Sequence, residues 1–173
     1  TAEIYTLSLH DALPIYRQLQ RLRYKGSKVS FLTRKHYLLD DWVGEGKYAK
    51  VVPMEGEVSV TRTMPNKEFF RNHNLTYTGK ENPLTIRYMP LDEAIEMAKR
   101  TYKGVMKVLG IGIVGTSDKI DLTHTGFVIF MPGQKPVMRH ASSQRRQVVE
   151  VPLAEYLQTR KIPGVTFFKF IQH

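Results

Sequence analysis

Two histidines, His124 and His140, stand sixteen positions apart, one opening the apolar run HTGFVIFM and the other closing the segment VMRH. An imidazole beside a thiol can draw off its proton and leave a nucleophilic thiolate, and a third group then fixes which ring nitrogen is free. In that chemistry His124 is the general base and His140 its orienter. The plainer reading makes each a partly exposed strand residue. Geometry bears on the choice. If residues 130–136 form a hairpin loop, Gly126 faces His140 and His124 becomes its diagonal neighbour, roughly 7–8 Å away on the same face. Gly126 carries no side chain to block the approach. A tighter loop keeps both rings on one face but draws them too far apart to meet.

The chain contains no cysteine, so a base and an orienter stand without a nucleophile. The same count excludes disulfides and zinc–thiolate sites and leaves the compartment open. Ser142 and Ser143 are poor substitutes. A serine two positions from His140 points along the same face rather than back at the ring, and no G-x-S-x-G elbow exposes it. Metal chemistry is not indicated either: His36, His73, His124 and His140 lack the i, i+4 spacing of HExxH, and no carboxylate completes a ligand set. No cofactor is expected.

Several elements must position these residues. Residues 16–24, YRQLQRLRY, suit the end of a helix, with Leu19 and Leu22 at i, i+3, and Lys25-Gly26-Ser27 stops it. Residues 31–43 read as a loop leading into a short helix through Trp42. Residues 55–64 alternate as a strand with Val58 and Val60 on one side. The polar stretch 65–90 shows no clear period and is expected to be a long excursion. Residues 90–100 are the strongest helix, opened by Pro90, with acids in the first turns and bases in the last. Strands follow at 107–115, 126–131, 137–142 and 148–151. A short helix after Pro152 and a turn at Pro163-Gly164 then lead to a last strand, 165–170. Helices first and an antiparallel sheet after them define an α+β class.

A chain of 173 residues with 42% apolar content fits one domain with a real core. No run of about 18 apolar residues occurs, so no transmembrane segment is expected. Against 16 acidic residues stand 26 Lys and Arg, a net charge of +10, which favours anionic partners. The rival function is therefore a basic domain binding nucleic acid or another anionic polymer without catalysis. Because the basic residues are scattered rather than gathered on one helix, nucleic acid is not expected as a partner. Salt-dependent retention on DNA or RNA would favour the rival.

Residues 6–15, TLSLHDALPI, match the translation of a common sequencing-adapter oligonucleotide. The bland alternative is a short helix around Asp11 and Ala12. On the adapter reading, residues 1–15 are a non-native segment and the native domain occupies 16–173. The basic excess lies wholly in the native part, since residues 1–15 hold no Lys or Arg.

Four motifs in order then point to a family: TRKHYLLDDW, DLTHTGFVI, RHASS and the closing LAEYL…IPGVTFFKF. Together they resemble the N-acetylmuramoyl-L-alanine amidase-like family of the NlpC-type, papain-like cell-wall peptidases, from about Tyr16 to the C-terminus. The resemblance implies a papain-like fold whose first helices are missing here, together with the catalytic Cys that the family keeps upstream of YRQLQRLRYKG. It further implies cleavage of the amide joining the lactyl group of N-acetylmuramic acid to L-Ala. Muropeptides would be the substrate, and the intact protein would work in the periplasm or outside the cell. The chain as given has no signal peptide and would be inactive. Arg34, His36 and Tyr37 fall in a family motif and read as substrate-binding, or alternatively as a structural loop anchored by Tyr37 and Trp42. At the end of the last strand the family usually has Arg, where this chain has Lys169.

Overall fold

The computed structural model describes residues 9–44, 46 and 48–171, and side chains from residue 13 onward. Helix α1 (Leu9–Arg23) is followed by a π-helical turn at Leu38–Val43 and strand β1 (Ala49–Val51). Strand β2 (Val58–Thr63), helix α2 (Asn66–Arg71), strand β3 (Pro83–Pro90) and helix α3 (Leu91–Lys99) come next. The second half runs β4 (Lys107–Val114), β5 (Leu122–Phe130), β6 (Val137–Ser142), β7 (Gln147–Pro152), α4 (Leu153–Gln158) and β8 (Gly164–Phe170).

The strands form one sheet in the order β2-β3-β8-β4-β5-β6-β7, with β1 paired to β8. Every ladder among the described residues is antiparallel. Strand β8 is the shared element. One edge pairs with β4 along five residues, while the other takes β3 at its start and β1 at its end.

Each face carries its own core. On one, α3 and α4 cover Ile111, Ile113, Val128, Met138 and Phe167, and Leu153 and Leu157 of α4 are fully buried. On the other, the π-helical turn lays Leu39 and Val43 against Val114, Leu122 and Phe168. Phe168 lies over Gly110, where a Cβ would run into its ring.

The α+β class with an antiparallel sheet is what the alternating runs predict, but the layout differs in two places. The stretch 65–90 is not an excursion. It contains α2 and the eight-residue strand β3, whose Ile86 is 1% exposed. Strands also precede the long helix α3, so helical and strand material interleave. Strand β1 pairs only at the end of β8 and is too short to carry a period. Of the adapter-like segment 1–15, residues 1–8 lie outside the described residues, and residues 9–15 open α1. No described helix is long and apolar enough to cross a membrane.

Candidate active site

Strands β5 and β6 pair with Phe127 opposite Arg139, Val128 opposite Met138 and Ile129 opposite Val137. Continued by one step, this register sets Gly126 opposite His140, so residues 130–136 form the connection and His124 is the diagonal neighbour. The rings meet. His124 Nε2 lies 2.9 Å from His140 Nδ1, with ring centroids 4.9 Å apart and planes nearly perpendicular. Gly126 permits this approach, because a Cβ there would stand 3.0 Å from the His140 Cβ and 2.8 Å from the Arg139 carbonyl oxygen.

A second device aims His124. The β4–β5 ladder shifts register between Ile113 and Val114, which pair with His124 and Leu122. Thr123 is therefore an extra residue, a β-bulge. It lets Leu122 turn into the core beneath the π-helical turn while His124 turns to the face covered by α4. Bulges commonly re-aim a side chain in this way beside a site. Nothing in the spacing of the sequence announces it.

Helix α4 supplies the floor. Tyr156, 9% exposed, has its ring 5.0 Å from that of His140 and 6.4 Å from that of His124. The Arg160 guanidinium lies over the other part of this ring, 4.3 Å from its centroid. Burial, then the neighbouring His140, then the Arg160 charge hold the His124 pKa below the usual imidazole value. Near neutral pH the ring is thus a neutral base. Burial raises the Tyr156 phenol, outweighing the opposing pull of Arg160.

Two cavities of about 490 Å³ share His124. One is lined by His140, Ser142, Ser143, Tyr156, Arg160 and Lys161 as well. The other is lined by His36, Tyr37, Phe69, Lys119 and Asp121. Around it the rings of Phe31, His36, Phe69 and His73 lie in mutual contact, with Phe31 and Phe69 stacked at 5.9 Å.

Asp121 builds this second cavity. Its carboxylate, 2% exposed, accepts the Leu39 N–H at 2.5 Å and the Leu122 N–H at 2.7 Å. It thereby clamps the π-helical turn to the start of β5. Burial raises its pKa, against the lowering effect of these backbone donors. Asp41 does the same locally, accepting the N–H groups of His36 and Tyr37 at 2.7 and 3.0 Å and pairing with Lys25 at 2.5 Å. Buried Arg62 holds the turn before Asp121 by donating to the Gly115 and Ile120 carbonyls at 2.7 and 2.9 Å. The Tyr37 phenol is pushed up to about 12 by burial and by the nearby carboxylates of Asp121 and Asp41, so it stays protonated.

Of the residues singled out from the sequence, His124 and His140 come together, and His36 and Tyr37 reach the cavity on the far side of His124. Arg34 does not. It is exposed, lines neither cavity, and its backbone bridges to Tyr24. Among the described residues no cluster of three His or carboxylate side chains could hold a metal. Sequence reasoning missed Asp121, Tyr156 and Arg160. Two of them lie in motifs quoted for their family likeness, Asp121 opening DLTHTGFVI and Tyr156 within LAEYL, but neither was singled out there.

An antiparallel α+β domain with two imidazoles hydrogen-bonded beside a cleft is the class that fold and site define. Residues 5–165 match the AmiA-like family, described as N-acetylmuramoyl-L-alanine amidase-like, and the chain belongs to that family. Among solved structures it is similar to an N-acetylmuramoyl-L-alanine amidase from Bacteroides uniformis, with a TM-score of 0.66 and 20% identity over 90% of this chain and 73% of the other. A second structure of that name from the same organism gives 0.63 and 21%, over 96% and 78%. A Bacteroides fragilis protein provisionally named a xylanase gives 0.61 and 20%, over 98% and 79%. At such identity these likenesses speak for the fold alone. No curated protein matches the chain.

Proposed function

We propose that this domain carries the base-and-orienter half of a cysteine-type amidase, and that the intact protein cleaves the N-acetylmuramoyl–L-alanine amide of peptidoglycan fragments outside the cytoplasm. The observation that carries the reading is the 2.9 Å contact between His124 Nε2 and His140 Nδ1 at the wall of two cavities. For His124 to accept a proton at Nδ1, its Nε2 must keep the hydrogen and donate it to His140 Nδ1. A lowered pKa suits this role, since the base must be neutral before it can act.

In the proposed reaction a cysteine thiolate attacks the lactyl carbonyl, and the C–N bond breaks as His124 returns the proton to the departing L-Ala amine. Water then hydrolyses the thioester with the same imidazole as base. The chain has no cysteine, so the nucleophile belongs to the family segment upstream of Tyr16, in a papain-like arrangement of the NlpC type. Residues 1–15 are on this reading foreign to the domain.

The test joins the cysteine-bearing family segment to Tyr16 and measures release of L-Ala-peptides from a muropeptide. Activity is expected to appear, to vanish in His124→Ala and to fall in His140→Ala. Hydrolysis by the unmodified chain, undiminished in His124→Ala, would overturn the reading. Loss of a nucleophile from such a triad otherwise leaves only the ~10³–10⁴-fold effect of binding and oxyanion stabilisation.

A further inference from the structure

The cavity that His124 shares with His140 is cationic. Arg160 and Lys161 line it beside the hydroxyls of Ser142 and Ser143. Among the described residues Arg160 has no carboxylate within ion-pair distance. Its guanidinium is nonetheless held in place over the Tyr156 ring, which also touches the His140 ring. Helix termination does not require that charge: the last turn of α4 is closed by the Arg160 N–H on the Leu157 carbonyl and by the Thr159 hydroxyl on the Tyr156 carbonyl. Part of the guanidinium is engaged by the Tyr156 phenol, and the rest of its planar fork of N–H donors suits a planar anion.

This inference rests on the amidase reading above. In an N-acetylmuramoyl-peptide the lactyl carboxyl is consumed by the scissile amide, so the sugar half is uncharged. Every carboxylate lies on the peptide half. The two cavities differ in the matching way, because the one beyond His124 has the rings of His36, Tyr37 and Phe69, which suit the face of a sugar, and its one Lys, Lys119, is paired with Glu68. We propose that Arg160 is a specificity-determining residue that receives a carboxylate on the peptide side of the substrate, within a residue or two of the scissile bond. Ser142 and Ser143 can donate to the same anion. The Arg160 charge also reaches His124 and helps to hold that imidazole neutral, which agrees with a guanidinium directed into this cleft.

The experiment measures binding, and so uses the full chain without a nucleophile. The ligands are N-acetylmuramoyl-L-alanyl-glutamic acid and the same compound with both glutamyl carboxyls converted to carboxamides, compared by titration calorimetry in physiological salt. The acid is expected to bind about tenfold more tightly than the amide, the effect of one charge-assisted hydrogen-bond pair. Arg160→Gln should bring that ratio close to one while leaving the amide's affinity unchanged, and Arg160→Lys should keep part of it. A purely structural Arg160 would instead lower both affinities together, and that result overturns the proposal. Equal binding of acid and amide by the unmodified chain also overturns it and leaves the muropeptide reading standing. Binding of neither ligand overturns both. Melting curves of the variants accompany the titrations. Should Arg160→Gln fail to fold, the acid-to-amide ratio of Arg160→Lys decides, an unchanged ratio counting against the proposal.

Discussion

The two cavities that meet at His124 have the same volume, about 490 Å³, and different linings. One is built on residues 36–39, whose backbone is held by two buried carboxylates, Asp41 from the same segment and Asp121 from beside the start of β5. Its walls are aromatic. The other is built on regular structure, strands β5 and β6 with α4 beneath them, and its rim is basic. A loop needs charged hydrogen-bond acceptors to hold its shape, since its N–H groups have no ladder partners. Paired strands need none, which leaves Arg160 free to meet a ligand. The comparison teaches where ionic groups are consumed by architecture and where they remain for function.

The largest blow to the cationic side is Tyr156→Ala. Removing a buried ring that touches both His140 and Arg160 should cost about 3 kcal/mol, the usual range for a large-to-small change in a core, as read by urea unfolding. The aromatic cavity should keep its shape. A loss well under 1 kcal/mol would show that Tyr156 is not the floor of this side.

Asp121→Ala strikes the other side. Two backbone N–H groups lose a buried acceptor, and the expected cost is about 2 kcal/mol. Hydrogen exchange at Leu39 and Leu122 should rise while amides in β6 stay protected. Uniform loosening of both regions would contradict the clamp assigned to this carboxylate.

Gly126→Ala lies between the two. Its Cβ would press on the Arg139 carbonyl, the Met138 Cε at 2.9 Å and the His140 Cβ. A destabilisation of about 1–2 kcal/mol is expected from overpacking, together with loss of the His124–His140 hydrogen bond in imidazole nitrogen spectra. An unchanged imidazole pair would mean that the hairpin yields more easily than its register suggests.

The smallest effect is the titration of His124. Its folded pKa lies below the ordinary imidazole value of 6.5, so between these two values the unfolded chain binds more protons than the folded one. The stability contributed by this group is intact above about pH 6.5 and falls as the pH drops towards the folded pKa. Nuclear magnetic resonance should show His124 titrating below 6.5, and slightly higher in Arg160→Gln. The change is small because burial is the leading cause and the Arg160 charge the last. An Arg160→Gln titration identical to the parent would separate the guanidinium from this cleft.

Much of the sheet was legible before any coordinates. The runs at 107–115, 126–131 and 137–142 are bounded by Gly and Pro and rich in Val and Ile, while Gly126 opposite His140 was one of two registers the sequence allowed, the one that a 130–136 loop gives. Strand β3 was hidden, although Leu84, Ile86 and Tyr88 alternate within it. The preceding Asn72, Asn74 and Asn82 and the flanking Pro83 and Pro90 carry strong turn signals, and they dominate any window wide enough to reveal a period. Helix α2 is six residues long, less than two turns, and too short to show one. In the site, Arg34 was grouped with His36 and Tyr37 by neighbourhood in the chain, yet only His36 and Tyr37 line the cavity.

The sequence by itself determined the antiparallel α+β class, the strand pair that carries His124 and His140, and the absence of a thiol. Those properties depend on local patterns: period-two alternation, turn residues at fixed places, and a residue count. Tertiary structure alone decided that the Thr123 bulge turns Leu122 and His124 to opposite faces, that Asp121 reaches across 82 positions to the Leu39 N–H, and that Tyr156 and Arg160 arrive under the imidazoles from another element. Contacts between residues far apart in the chain leave no period in it. They exist only where burial makes an unpaired donor or an unsupported ring too costly to leave alone.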